Sequence, residues 1–81
     1  MNVSAEISFY PLQEEYETLI LELIARFKTH EGLLVRTNSM STQLFGDWEV
    51  VMGALQQELG ASFAQKPDSV AVIKLAGLDL R

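Results

Sequence analysis

The chain has 81 residues, 48% of them hydrophobic, and six Lys and Arg stand against eleven Asp and Glu for a net charge of −5. A chain this short buries only about two thirds of the surface that its unfolded form exposes. One domain over residues 1–81 with a marginal core is therefore expected, and with it a homo-oligomer, a dimer or tetramer. The acidic balance opposes nucleic-acid binding, which needs clustered Lys and Arg. The absence of cysteine excludes disulfides, thiolate metal sites and a thiol nucleophile.

Residues 2 to 10 alternate, with Val3, Ala5, Ile7 and Phe9 on one side and Ser4, Glu6, Ser8 and Tyr10 on the other, which is the period of a half-buried strand. Pro11 breaks that ladder and suits the first turn of a helix, with Glu14 and Glu15 complementing the positive end of the helix dipole. From Leu12, the residues Tyr16, Leu19, Ile20, Leu23, Ile24 and Phe27 trace one helical stripe, with Glu22 and Arg26 as an exposed i,i+4 pair. Gly32 is expected as the left-handed cap that stops this helix.

Residues 33 to 38 and 40 to 45 read as a hairpin turning at Asn38 and Ser39, with Met40 and Leu44 inside. Asp47 is a natural N-cap for a second helix carrying Trp48, Val51, Met52, Leu55, Leu59 and Phe63 towards the core. Gly53 and Gly60 lie on its other flank, as tolerated surface positions or as a place for close approach. Pro67 and Asp68 lie in the connection to a last strand over residues 70 to 75.

Strand, helix, hairpin, helix, strand is the order of an α+β ferredoxin-like βαββαβ two-layer sandwich, with antiparallel sheet order 4-1-3-2. Right-handed crossovers put both helices on one sheet face and leave the other bare. The pleat sends Ser4, Glu6, Ser8, Tyr10, Arg36, Asn38, Ser41, Gln43, Phe45, Val70, Val72 and Lys74 to that bare face. Pairing brings the end of the first strand beside the hairpin turn, so Ser8, Tyr10, Asn38 and Ser41 converge. Hydroxyls and an amide beside an aromatic ring can orient a small polar heterocycle. The plainer alternative is a solvated or oligomer-buried sheet face held by cross-strand hydrogen bonds.

His30, the one histidine, ends the first helix and reads as a surface or capping residue. Glu6 is either a counter-charge for a ligand or the partner of Lys74 or Arg36. Other uses of this fold fail on the residues. The basic pattern of an RNA-recognition module is missing, the Tyr10-Pro11-Leu12 loop has no Cys pair of a metal chaperone, and it has no arginine of an acylphosphatase. No nucleophile, base and orienting group can be assembled, so no enzyme and no cofactor are expected.

Two segments carry a resemblance: SAEISFYPL at residues 4 to 12 and TNSMSTQLFGDWEVV at residues 37 to 51. Together they resemble the YkoF-like family of thiamine and hydroxymethylpyrimidine binding proteins. In that family a Ser-x-Tyr-Pro segment ends the first strand and a Ser-Thr-x-x-x-Gly segment lies on the third. Members often carry two such domains in tandem, and a single copy implies that an oligomer supplies the missing half. The resemblance implies non-catalytic binding of thiamine or its pyrimidine moiety, in vitamin salvage or transport. Ser8, Ser41, Thr42 and Asn38 would then meet the aminopyrimidine, and Glu6 or Tyr10 would favour the thiazolium cation. The competing expectation is a regulatory or structural module whose open sheet is a subunit interface. No apolar run approaches the roughly 18 residues of a membrane span, and Met1 to Glu6 has no signal-peptide pattern, so a cytoplasmic protein without membrane insertion is expected.

Overall fold

The computed structural model describes residues 1–81. Its elements are β1 (Asn2–Tyr10), α1 (Tyr16–Phe27), β2 (Leu34–Thr37), β3 (Thr42–Asp47), α2 (Trp48–Gln65) and β4 (Val70–Ala76). The strands form one antiparallel sheet in the order β2-β3-β1-β4, which is the ferredoxin-like arrangement. β1 is central because its strict alternation gives it a fully apolar face: Val3, Ala5, Ile7 and Phe9 are all buried. They pack with Leu23 and Phe27 of α1, Leu44 of β3, and Val51, Ala54, Leu55 and Leu59 of α2. Each large side chain in this layer contributes about 1.5–3 kcal/mol by leaving water. No helix is long and apolar enough to cross a membrane.

α1 starts four residues later than its apolar stripe implies. Leu12 adopts φ +53°, in the left-handed region, which costs an L-residue about 1–2 kcal/mol and cannot begin a right-handed helix. Buried Pro11 therefore belongs to the loop and not to the first turn. At the other end α1 stops at Phe27, and Gly32, with φ +81°, serves a separate turn in which the Leu33 N–H donates to the His30 carbonyl at 3.3 Å. Gly32 fills the third position of that turn, where a positive φ favours glycine.

The hairpin turn has four residues where two were expected. The Asn38 Oδ1 atom accepts from the Met40 and Ser41 N–H groups, both at 2.8 Å, and this side-chain turn lengthens the loop. Thr37 pairs with Thr42, so Met40 is exposed instead of packing inside, and Thr42 takes the inward position beside Leu44. Trp48 is likewise not a core residue. It opens α2 at the surface, its N–H donating to the Met1 carbonyl, while Asp47 caps the helix through the Glu49 N–H. The Met1 ammonium, followed by that N–H, holds the Asp47 carboxyl below its usual range.

Arg26 does not pair with Glu22. It crosses to α2, where Nε donates to Glu58 Oε1 at 3.1 Å and Nη2 donates to Ser62 Oγ at 2.6 Å. His30 Nε2 meets the other Glu58 oxygen at 2.5 Å. Glu58 and Ser62 are buried between the helices, and a buried carboxylate needs such charge-assisted partners more than a solvated one does.

The face away from the helices is not wholly bare. After β4 the chain turns back across it, and residues 77 to 81 lie over Ser4, which donates to the Leu78 carbonyl and accepts from the Leu80 N–H, both at 2.8 Å. Phe45 belongs to this face by register, opposite Ser4 and Leu34, yet is only 4% exposed. The Arg36 guanidinium lies 5.3 Å from its ring centre.

Candidate functional site

The last rung between β1 and β3 is Ile7 with Thr42, so Ser8 emerges next to the hairpin loop. Its hydroxyl donates to the Met40 carbonyl at 3.5 Å, a long contact that a better partner displaces readily. Ser8, Asn38, Ser41 and Thr42 line one cavity of about 100 Å³, backed by apolar atoms of β1 and α1. The cavity shares Ser8 and Met40 with an adjoining cleft of about 440 Å³ walled by Tyr10, Leu12 and Tyr16. Of the residues expected to converge here, Ser8, Asn38 and Ser41 line the inner cavity, joined by Thr42, while Tyr10 lies in the outer cleft.

The polar groups are arranged by the loop. Asn38 spends its side-chain oxygen on the turn, while its Nδ2 group makes no hydrogen bond within the protein. Ser41 sends its hydroxyl hydrogen to Glu6 Oε2 at 3.0 Å, which leaves the oxygen lone pairs as its remaining capacity. Thr42 faces the helix layer, as its alternation with Ser41 and Gln43 requires, and it reaches the cavity from that inner side. The site therefore straddles the end of the sheet instead of lying flat on its open face.

Glu6 touches this group only through Ser41 and lies on the open face, along a third cavity. The Ser41 hydroxyl, then Gln43, and more weakly Lys74 hold its carboxyl below the usual range, against partial burial that pushes it up. Lys74 Nζ lies 3.6 Å from Glu6 Oε1, the pairing that was the alternative to a ligand role. His30 is committed to Glu58 between the helices, away from either cavity.

Three residues at the rim of the site were read from sequence as helix or core positions rather than as lining. Leu12 carries its left-handed backbone at the rim of the cleft, and Tyr16 and Met40 line it as half-exposed to exposed apolar groups. Tyr16 stands at the edge of the α1 stripe, and Met40, expected inside, is exposed at the cleft. The left-handed backbone of Leu12 had no signal, because that conformation is not encoded by a leucine.

No family model and no curated protein matches the chain. Solved structures do. Protein SP2199 from Streptococcus pneumoniae superposes with a TM-score of 0.88 at 21% identity, covering 99% of this chain and 90% of that one. A hypothetical protein from Methanocaldococcus jannaschii, MJ1052, gives 0.83 at 26% identity, covering 99% and 84%. A Thermotoga maritima protein assigned provisionally to thiamine biosynthesis or salvage gives 0.83 at 15% identity, covering 96% and 85%. These likenesses establish the ferredoxin-like fold of the whole described chain.

Proposed function

We propose that the protein binds thiamine or its hydroxymethylpyrimidine moiety without transforming it, in the inner cavity and the adjoining cleft. The observation that carries this reading is the meeting of Ser8, Asn38, Ser41 and Thr42 in one cavity at the end of the sheet. An aminopyrimidine presents an exocyclic amine donor and ring-nitrogen acceptors. Ser8 and Ser41 oxygens match the amine, and the Asn38 Nδ2 group matches a ring nitrogen. The inner cavity holds about three water volumes of ~30 Å³, so a ligand with a second ring extends into the cleft beside Tyr10, whose face favours a cation.

Two further points support the reading. The strained Leu12 backbone sits at the cleft rim, and such strain clusters where a ligand is held. The Thermotoga maritima neighbour is named for thiamine biosynthesis or salvage. Glu6 acts here as a positioning residue, holding the Ser41 hydroxyl in place.

A second reading has its own observation. Tyr10, Val70 and Val72 are about half exposed, and register places them together on the open face beside the unpaired edge of β4, as a subunit interface would require. On that reading the protein is a homo-oligomeric structural or regulatory module. Chemical-shift mapping separates the two. Titrated hydroxymethylpyrimidine moves the amides of Ser8 and of residues 38 to 42 if the first reading holds. Shifts confined to a dilution series, with none on adding ligand, leave only the second.

A further inference from the structure

We propose that the third cavity, on the open face beneath the C-terminal segment, is a separate site for a small aliphatic α-amino acid. It holds about 160 Å³ and is lined by Ser4, Glu6, Gln43, Phe45, Lys74 and Leu80, with Ala5 and Ala76 completing the floor. That is about five times a water's share of liquid volume, ~30 Å³. A branched amino acid such as valine matches this scale, and a two-ring vitamin exceeds it.

The lining has two chemically different ends. At one, the Glu6 carboxylate and the Lys74 ammonium lie 3.6 Å apart, with the Gln43 side chain beside them. At the other, Phe45, Ala76 and Leu80 present apolar atoms. A zwitterion with one short apolar arm complements both ends at once: its ammonium meets Glu6, its carboxylate meets Lys74, and its side chain lies over Phe45. A ligand with only one charge leaves one of the two protein charges unmatched.

Access is compatible with the built structure. Lys74 is 82% exposed and its contact with Glu6 is long, so the pair is weak enough to open around a ligand. The opposite wall is firmer. Ser4 clamps residues 78 and 80 with two short hydrogen bonds, and that clamp keeps Leu80 over the cavity. Phe45 is held by Arg36 from outside the cavity, so the floor is fixed before any ligand arrives.

This inference does not rest on the pyrimidine reading, although the two sites meet at Glu6, whose other carboxylate oxygen holds the Ser41 hydroxyl. Valine is titrated into the full chain while amide and methyl resonances are followed. Valine to about 10 mM shifts Glu6, Phe45, Lys74 and Leu80 saturably, and isobutylamine or 3-methylbutanoate, each with one charge, binds about tenfold more weakly. Lys74→Met folds normally, since its side chain is mostly in solvent, and weakens valine about tenfold. Ser4→Ala loosens the Leu80 wall and also weakens it. No saturable shift with valine, or equal binding of the one-charge analogues, overturns the proposal. So does unchanged affinity in Lys74→Met.

Discussion

The Ser41 hydroxyl donates to the Glu6 carboxylate at 3.0 Å, across residues 35 apart in sequence. That bond fastens the hairpin loop, which carries most of the candidate site, to the middle of the central strand. Because Ser41, Gln43 and Lys74 all favour the ionised form, the Glu6 carboxyl titrates below its ordinary 4.5. A carboxyl whose folded pKa is depressed contributes stability above its unfolded pKa and loses that contribution as pH falls through the folded value. The loop anchor is thus intact at neutral pH and weakens only in acid below about 4.5. A carbon-detected NMR titration of Glu6 checks this, and Ser41→Ala moves its midpoint up towards 4.5.

Asn38 carries two functions that a conservative change separates. Asn38→Ala removes the acceptor for two backbone N–H groups and costs about 1 kcal/mol at an exposed turn. Asn38→Asp keeps the acceptor and the turn but removes the Nδ2 donor. Its urea midpoint stays near that of the parent, while affinity for hydroxymethylpyrimidine falls about tenfold.

Glu58 is the hub between the helices. Glu58→Ala strands the Arg26 guanidinium and is expected to cost about 2–4 kcal/mol, towards the lower end because Arg26 is 30% exposed. Replacing the pair together, as Arg26→Met with Glu58→Leu, costs much less, because neither charge is then left unmatched. Urea denaturation of the three variants measures both.

Glycines on the two sides of the helix layer behave oppositely. A Cβ at Gly46 sits 2.8 Å from the Gly32 carbonyl oxygen, so Gly46→Ala forces backbone apart and costs about 1–3 kcal/mol. A Cβ at Gly60 or Gly53 meets nothing within 4 Å, so alanine there stabilises α2 by about 0.5–1 kcal/mol. Thermal melts of the single variants distinguish the two signs.

What the sequence made legible follows from how the information is encoded. β1 and the stripe of α1 are periodic over many residues, and periodicity gave both elements, while the succession of elements gave the sheet order. The loop between β2 and β3 was misjudged by two residues, because the choice between a two-residue and a four-residue turn is made by the Asn38 side chain, and that put Met40 in the exposed loop instead of inside β3. Arg26 was assigned to its own helix because an i,i+4 partner is visible locally, whereas a buried acid 32 positions away is not. The segment that covers Phe45 was missed since five residues are too few for any pattern, although Leu78 and Leu80 alternating with Asp79 and Arg81 were its one trace. The meeting of Ser8, Asn38 and Ser41 and the pairing of Glu6 with Lys74 were legible from strand order and alternation; the bond from Ser41 to Glu6 and the entry of Thr42 from the inner side were not.

Calorimetric titration of the folded protein with thiamine and with hydroxymethylpyrimidine tests the central claim most directly. Saturable binding of one of them is the expected result, weakened about tenfold in Ser8→Ala with no change in thermal stability. No heat from either compound at about 1 mM, or the same affinity in Ser8→Ala, contradicts the assignment of the ligand to the end of the sheet.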